Sequence, residues 1–187
     1  PFSVMHKTET PPSDDKHDYY NPAPYYWPNP NTPDGLPYIR KDGQRVPGTE
    51  LYDAESEKYD RSRVASLFGN TTCLSLAWYF TGDAKYANHA AGNIRTWFLD
   101  PETAMHPTMR YAQIQWGYND NEGANYGVIE TKDLYFLLDA VRLTHRAGAL
   151  TEEDMTGLRG WLLKFSEYLL FSKQGQDEYA TLNNHGL

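Results

Sequence analysis

The strongest structural signal in the chain is residues 57–98, which read EKYDRSRVASLFGNTTCLSLAWYFTGDAKYANHAAGNIRTWF. Apolar side chains recur at three- and four-residue steps over residues 57–80, and this spacing marks one face of an α-helix. Gly82 is expected to end that helix, and Asp83 is the predicted N-cap of a second helix that continues to Phe98. The stretch therefore predicts two antiparallel helices joined by a tight turn.

A second pair of helices is predicted after a long connection over residues 100–124. The third helix is expected from Tyr126 to about Arg146 and is apolar nearly all round, which favours burial on most sides. Thr151 is the predicted N-cap of the fourth helix, with Asp154 at the capping-box position, and a polar loop is expected after it. No strand alternation of useful length occurs, and four helices cannot close a ring. The predicted fold class is therefore all-α, and the pattern is that of an α/α solenoid or of part of an incomplete α/α toroid.

The composition changes sharply near Tyr52, because ten of the twelve prolines lie in residues 1–50. Residues 1–17 are predicted to be a flexible tail. Residues 18–56 combine prolines with many aromatic rings, and since proline blocks helix formation they are expected to form an extended arm. Residues 57–187 are predicted to be the N-terminal half of the toroid, with the remainder missing or on another chain.

Charge and motifs exclude several classes of protein. The 187 residues include 17 basic and 25 acidic side chains, a net charge of −8, which argues against nucleic-acid binding. No apolar run is long enough to span a membrane, and the first residues lack the pattern of a signal peptide. Six histidines without ligand spacing and a single cysteine predict no metal site, and no glycine loop for phosphates is present. No cofactor is therefore expected.

Two single residues give weaker signals within the first predicted helix. Cys73 has no partner for a disulfide within the chain, and it is expected to be buried as a small apolar side chain. Asn70 begins the triplet Asn-Thr-Thr, which is the acceptor pattern for N-glycosylation in a secreted protein.

Two groups of polar residues could perform chemistry. Glu130 and Asp133 are three residues apart and share a helix face, and Asp53 is a further carboxylate. A glycoside hydrolase needs two carboxylates that face each other across a sugar, whereas in a structural role such acids charge a helix end or form salt bridges. The segment TLNNHG, residues 181–186, places two amides beside a titratable imidazole, and it is either part of a site or an ordinary turn.

A set of motifs in a fixed order carries a family resemblance. They are DYYNPAPYYWPNP (18–30), GLPYIRKDGQ (35–44), YFTGDAKYA (79–87), IRTWFLDPETAMHP (94–107), YAQIQWG (111–117), GVIETKDLYFLLDA (127–140) and EYATLNNHG (178–186). In this order and spacing the chain resembles the alginate lyase domain family of polysaccharide lyases. Members of that family are α/α toroids of roughly double this length, so the resemblance covers an N-terminal half only.

The resemblance implies a lyase that cleaves a uronic-acid polymer by β-elimination and leaves 4,5-unsaturated ends. In the family an Asn-His pair lies at the active centre together with a tyrosine that acts as acid or base. Asn184 then binds the sugar carboxylate, and His185 helps to neutralise that carboxylate or takes the C5 proton. Asn183 is expected to contact the substrate. The family tyrosine lies beyond this motif, and Tyr111 and Tyr126 are the nearest substitutes in this chain.

The predicted substrate contacts follow from the charge of such a polymer. Arg40 is the first candidate for a carboxylate clamp, because a guanidinium binds carboxylates well. Further contacts are expected on the long connection and on the arm. These residues are Gln113, Gln115, Trp116, Tyr26 and Trp27.

Two other functions stay open beside the lyase. One is a glycoside hydrolase that uses Glu130 or Asp53 with a second carboxylate, and the other is a non-catalytic carbohydrate-binding module. The predicted partners are an anionic polysaccharide and the C-terminal half of the same polypeptide as a separate chain. Because such polymers are extracellular, the protein is expected to be secreted. The 187 residues alone are expected to be inactive and to fold poorly, since the inner helices would expose apolar faces.

Overall fold

The computed structural model describes residues 2–181 and is mainly helical, which confirms the all-α class. Four of its α-helices correspond to those expected from the sequence, and a fifth follows them. The helices are α1 (Arg61–Thr81), α2 (Ala84–Phe98), α3 (Leu134–Arg146), α4 (Glu152–Phe171) and α5 (Lys173–Thr181). Between residues 2 and 181 no helix has the length and the apolar character needed to cross a bilayer.

Among residues 2–181, four short strands lie outside the helices, and they are too short to show alternation in the sequence. They are β1 (Tyr20–Pro22), β2 (Tyr26–Trp27), β3 (Ile39–Arg40) and β4 (Tyr111–Ile114). β1 pairs in parallel with β4, and β2 pairs antiparallel with β3. The first pairing joins the segment before α1 to the long connection after α2.

The turn between α1 and α2 has the predicted chemistry. Gly82 adopts the left-handed conformation (φ 71°) at the end of α1, and the carboxylate of Asp83 accepts a hydrogen bond from the backbone N–H of Lys85. α1 begins at Arg61, a turn later than expected. The expectation that Cys73 is buried is wrong, because its side chain lies on the exposed face of α1. The buried positions of α1 are Ser62, Val64, Leu67, Phe68, Thr71 and Ser75.

The third helix is shorter than predicted. Residues Asn125–Thr131 form a 3₁₀ helix instead, and α3 begins only at Leu134. The backbone at Gly127 lies so close to β4 that a Cβ there would be 2.6 Å from the carbonyl oxygen of Ala112. Within the described part of the chain α3 is also not buried on most sides, because Tyr135 and Phe136 are about half exposed, at 56% and 48%.

The polar segment after α4 was expected to be a loop, and this expectation is wrong. Residues Lys173–Thr181 form α5, which is held by buried polar side chains rather than by an apolar stripe. The amide of Gln174 donates to the carbonyl oxygen of Gly123 at 2.8 Å, and Asn125 donates to the Glu178 carboxylate at 2.8 Å. Contacts between distant segments therefore stabilise this helix, and such contacts leave no periodic signal in its sequence.

Residues 2–17, in the segment predicted as a flexible tail, pack against the helices. Val4 is fully buried in the main apolar cluster. The Lys7 ammonium lies 2.8 Å from the Asp60 carboxylate, and neither side chain has any exposed surface. Lys7 also donates to the carbonyl oxygens of Val4 and Lys16, at 2.9 and 2.7 Å. The buried ion pair between Lys7 and Asp60 thus connects the N-terminal segment to the N-terminus of α1.

The capping box of α4 leads to a pH-dependent prediction. The Asp154 carboxylate accepts hydrogen bonds from the Thr151 backbone and from the Arg95 guanidinium, at 2.8 and 2.6 Å. The bond to Arg95 is the main reason that the pKa of Asp154 falls to about 2. Asp154→Asn removes the charge that pairs with the partly exposed Arg95, and it is expected to lower the free energy of unfolding by about 1 kcal/mol at pH 7.

A folded-state pKa below the unfolded value means that this stabilisation is complete above pH 4 and is lost as the pH falls towards 2. The difference between the wild type and Asp154→Asn should therefore narrow in that window, as measured by urea unfolding at pH 7, 4 and 3. Asp139→Asn is the matched control, since Asp139 is an exposed acid on α3 that lies 3.7 Å from Arg142. A difference that stays constant with pH would contradict the assignment.

Candidate functional site

An open cleft lies between the arm and the long connection. Its volume is about 360 Å³. The arm and the β2–β3 hairpin form one wall, and β4 and the 3₁₀ helix of residues Asn125–Thr131 form the other. The described residues that line it are Ala23, Pro24, Tyr25, Tyr26, Arg40, Gln113, Gln115 and Tyr126.

A β-bulge places Gln113 in this cleft. In the parallel pairing Asn21 lies opposite Ala112 and Pro22 lies opposite Ile114, so Gln113 has no partner on β1. Its backbone has a φ of 58°, a value that residues other than glycine rarely adopt. A bulge of this kind redirects a side chain, and it occurs often beside active sites. The side chain of Gln113 consequently reaches both the cleft and the buried acid behind it.

That buried acid is Glu130. Its side chain is 1% exposed, and it accepts hydrogen bonds from four side chains that come from three separate segments. Burial raises the pKa of Glu130, and the four donors oppose this shift. The donors are the Tyr19 hydroxyl, the Asn21 amide (2.8 Å), the Gln113 amide (3.1 Å) and the Arg61 guanidinium (3.3 Å).

The open side of the cleft combines phenols with a positive charge. Burial raises the pKa of the Tyr126 hydroxyl, with a smaller contribution from Tyr26, while the Gln115 amide and Arg40 act in the opposite direction. The amide of Gln115 donates to the Tyr126 oxygen. Arg40 forms a 2.6 Å ion pair with Asp42, and both side chains are largely exposed. Tyr126 therefore stays protonated near neutral pH, and the Arg40 guanidinium is accessible to solvent.

The alginate lyase family model matches residues 3–187. The chain belongs to the alginate lyase family. It is also similar to the crystal structure of an alginate lyase from Bacteroides ovatus, with 40% sequence identity and a TM-score of 0.86. That alignment covers 100% of this chain and 47% of the other, so this chain spans about half the length of the solved relative. No curated protein matches the sequence.

The structure brings some of the predicted residues of this family member together in the cleft. Tyr26, Arg40 and Gln113 line it, as does Tyr126, one of the two tyrosines considered as substitutes for the family acid or base. The predicted site at Asn183, Asn184 and His185 lies outside the described residues. The exposed position of Asn70 on α1 is compatible with its predicted glycosylation, which stays a prediction.

Three other aromatic residues lie outside the described lining of the cleft. The Trp27 indole donates to the carbonyl oxygen of Gln44 at 2.7 Å. Trp116 packs against a small apolar cluster that contains the buried Tyr111. These contacts give both Trp116 and Tyr111 a packing role, and the predicted sugar contacts of Trp27 and Trp116 stay predictions.

The carboxylates considered for a glycoside hydrolase are not arranged across the cleft. Glu130 lies behind it and already accepts four hydrogen bonds, and Asp53 accepts from the backbone N–H groups of Gly48 and Glu55, at 2.9 and 3.0 Å. Among residues 2–181 no carboxylate lines the cleft. In the same part of the chain no group of three or more potential ligands is placed to hold a metal ion.

The sequence reasoning missed the role of Asn21 and the position of Glu130. Both belong to motifs that carry the family resemblance, DYYNPAP and GVIETKD, but a motif does not show which side chain faces the interior. Asn21 lies among aromatic residues and prolines, and a buried amide there needs hydrogen-bond partners, which is a weak signal. Glu130 is followed by Thr131, Lys132 and Asp133, so its sequence neighbours give no sign of burial.

Proposed function

We propose that the protein is a polysaccharide lyase that cleaves a uronic-acid polymer of the alginate, mannuronan or glucuronan type by β-elimination. The observation that supports this best is the chemical character of the cleft. Its described lining offers a guanidinium, three phenols and two amides, and no carboxylate. Such a surface suits a polyanion inside a protein with a net charge of −8, because it offers phenol hydroxyls and a solvent-accessible guanidinium. Arg40 would exchange its exposed ion pair with Asp42 for the sugar carboxylate.

The chemistry of elimination assigns roles to these groups. The C5 proton of a uronate is weakly acidic, so the sugar carboxylate has to be neutralised before a base can remove that proton. In this proposal Arg40 and Asn184 bind the carboxylate, and His185 neutralises it further or takes the proton. Tyr126 stays protonated near neutral pH, which suits a donor to the departing O4 better than a base. No metal or organic cofactor is required for these steps.

The complete protein in this proposal is an α/α toroid, and the described helices are part of it. A groove between α3 and α4 supports this arrangement, because Tyr135 and Leu138 expose apolar surface there among the charged side chains of Asp139, Arg142 and Arg159. The rest of the toroid, continuous with this chain or on a separate one, covers that groove in the complete protein. The apolar residues of the groove are Tyr135, Leu138, Val141, Met155, Leu158 and Leu162.

The compartment in which the protein is expected to act follows from where its substrates occur. Uronic-acid polymers are extracellular, so a lyase that degrades them is expected to be secreted. The exposed Asn70 on α1 would then be available for glycosylation.

The test is ultraviolet absorbance during incubation of the full natural polypeptide with separate polymannuronate, polyguluronate and polyglucuronate. Elimination creates a conjugated 4,5-unsaturated uronide that absorbs, and we expect the absorbance to rise on one of these polymers. A neutral mannan serves as the control, since it has no carboxylate and should give no signal. New reducing ends without a rise in absorbance would indicate that the protein is a hydrolase and not a lyase. Binding without either product would indicate a non-catalytic module.

A further inference from the structure

Glu130 connects the cleft to the segments that build it, although it does not line the cleft itself. Its Oε1 atom accepts from Asn21 on β1, from Arg61 at the start of α1 and from Gln113 on the bulge of β4. Its Oε2 atom accepts from Tyr19. Of these four partners Gln113 lies in the cleft lining, so Glu130 can influence a bound substrate through that side chain.

The contact with Glu130 fixes which end of the Gln113 amide faces the cleft. An ionised carboxylate oxygen only accepts hydrogen bonds, so the Nε2 atom of Gln113 has to point towards Glu130. The Oε1 atom of Gln113 is then directed away from the acid, and it has no hydrogen-bond partner among residues 2–181. The bulge at φ 58° holds the backbone in the position that this contact requires.

We propose that Glu130 is a positioning residue that orients Gln113 so that the Gln113 carbonyl oxygen accepts a hydrogen bond from a sugar hydroxyl. A carboxylate would be repelled by this oxygen, whereas a hydroxyl can donate to it. Gln113 thus contacts a hydroxyl of the uronate, and the uronate carboxylate binds at the Arg40 side of the cleft. This inference rests on the proposed lyase function.

The two oxygen atoms of Glu130 bind different donors, and this difference provides a matched control. Tyr19→Phe removes the donor to Oε2 and leaves the bond between Oε1 and Gln113 in place. Glu130→Met removes both acceptors while keeping a side chain of similar length. A general loss of packing would affect both variants, but only Glu130→Met releases the Gln113 amide.

The experiment is a double-mutant cycle on the full natural polypeptide, with steady-state kinetics on the preferred polymer. Glu130→Met and Gln113→Met are each expected to raise KM about fivefold, the effect of one hydrogen bond, with a smaller change in kcat. The double variant should show the same fivefold increase, and Tyr19→Phe should stay within about twofold of the wild type. An increase in the double variant equal to the product of the two single effects would overturn the proposal.

Two further measurements keep the proposal testable. If Glu130→Met does not fold, Glu130→Asp retains the charge but withdraws the oxygens, and the same cycle with Gln113→Met applies. O-acetylation of the polymer should raise KM for the wild type but not for Gln113→Met, because the donor hydroxyl is then absent. Equal sensitivity of both proteins to acetylation would count against hydroxyl recognition.

Failure of the proposed lyase function is distinguishable from failure of the positioning role, because the wild type would then show no turnover on any polymer. In that case the orientation of Gln113 can still be measured by hydrogen exchange of its side-chain amide in NMR spectra. We expect slow exchange in the wild type and faster exchange in Glu130→Asp. Equal exchange rates in the two proteins would contradict the positioning role.

Discussion

Replacement of His185 by alanine is expected to lower kcat on the preferred uronan by about 10²- to 10⁴-fold, the usual contribution of a general acid or base. His185 lies outside the described residues, and its assignment rests on the Asn-Asn-His motif of the alginate lyase family. If the imidazole takes the C5 proton or neutralises the sugar carboxylate, its removal leaves the weakly acidic proton without assistance. The measurement is the initial rate of ultraviolet absorbance at saturating polymer.

His89 provides the matched control for that variant. It is an exposed histidine on α2 and does not line the cleft, so His89→Ala should leave kcat within about twofold of the wild type. Thermal unfolding of both variants separates a catalytic loss from a folding defect. A decrease in kcat of less than tenfold for His185→Ala, with the fold intact, would remove His185 from the catalytic step.

Replacement of Lys7 by methionine is expected to lower the free energy of unfolding by about 3–5 kcal/mol, the usual effect of breaking a buried ion pair. The reason is that Asp60 would be left buried without its 2.8 Å partner. Burial already raises the pKa of Asp60, and Lys7 is the main opposing influence. The measurement is urea or thermal unfolding of the full natural polypeptide near neutral pH.

Two comparisons identify the cause of that loss. Lys85→Met removes a solvent-exposed ion pair with Asp83 and should change the free energy of unfolding far less than Lys7→Met does. The double variant Lys7→Met/Asp60→Asn should recover part of the stability, because it no longer buries an unpaired charge. A double variant no more stable than Lys7→Met would show that the loss comes from packing alone.

The loss of the Lys7–Asp60 ion pair also makes the stability of the Lys7→Met variant depend on pH. Without the lysine, the folded-state pKa of Asp60 rises further above its unfolded value, so the folded protein binds a proton more tightly than the unfolded chain. The stability of the variant therefore increases as the pH falls through that raised pKa towards the unfolded value near 4. The difference between the wild type and Lys7→Met should shrink at acidic pH.

The parts of the fold that were predicted correctly have local causes. Asp83 and Thr151 bond to backbone N–H groups within three residues of themselves, and Gly82 ends α1 through its own conformation. These interactions are visible in a short window of sequence, and so are the apolar stripes of α1, α2 and α4. The helices that they define were placed to within a few residues.

The parts that were missed depend on distant partners. Lys7 lies in the segment predicted as a flexible tail, and its burial depends on Asp60 at the start of α1. Glu130 was considered as a hydrolase acid, but its hydrogen bond to Tyr19 joins residues 111 positions apart. Arg40, Gln113 and Tyr26, which were expected to contact the substrate, all line the cleft, and their binding role stays a prediction. The resemblance could not show the bulge that turns Gln113 towards the interior.

The parallel pairing of β1 with β4 encloses the whole α1–α2 hairpin between its two strands. Helices form through local contacts, whereas this pairing joins Tyr20 to Tyr111 and Asn21 to Ala112. The walls of the cleft belong to these two distant segments, so helix content alone does not report whether the cleft is formed. In this protein the binding surface and the helix content are consequently separate properties.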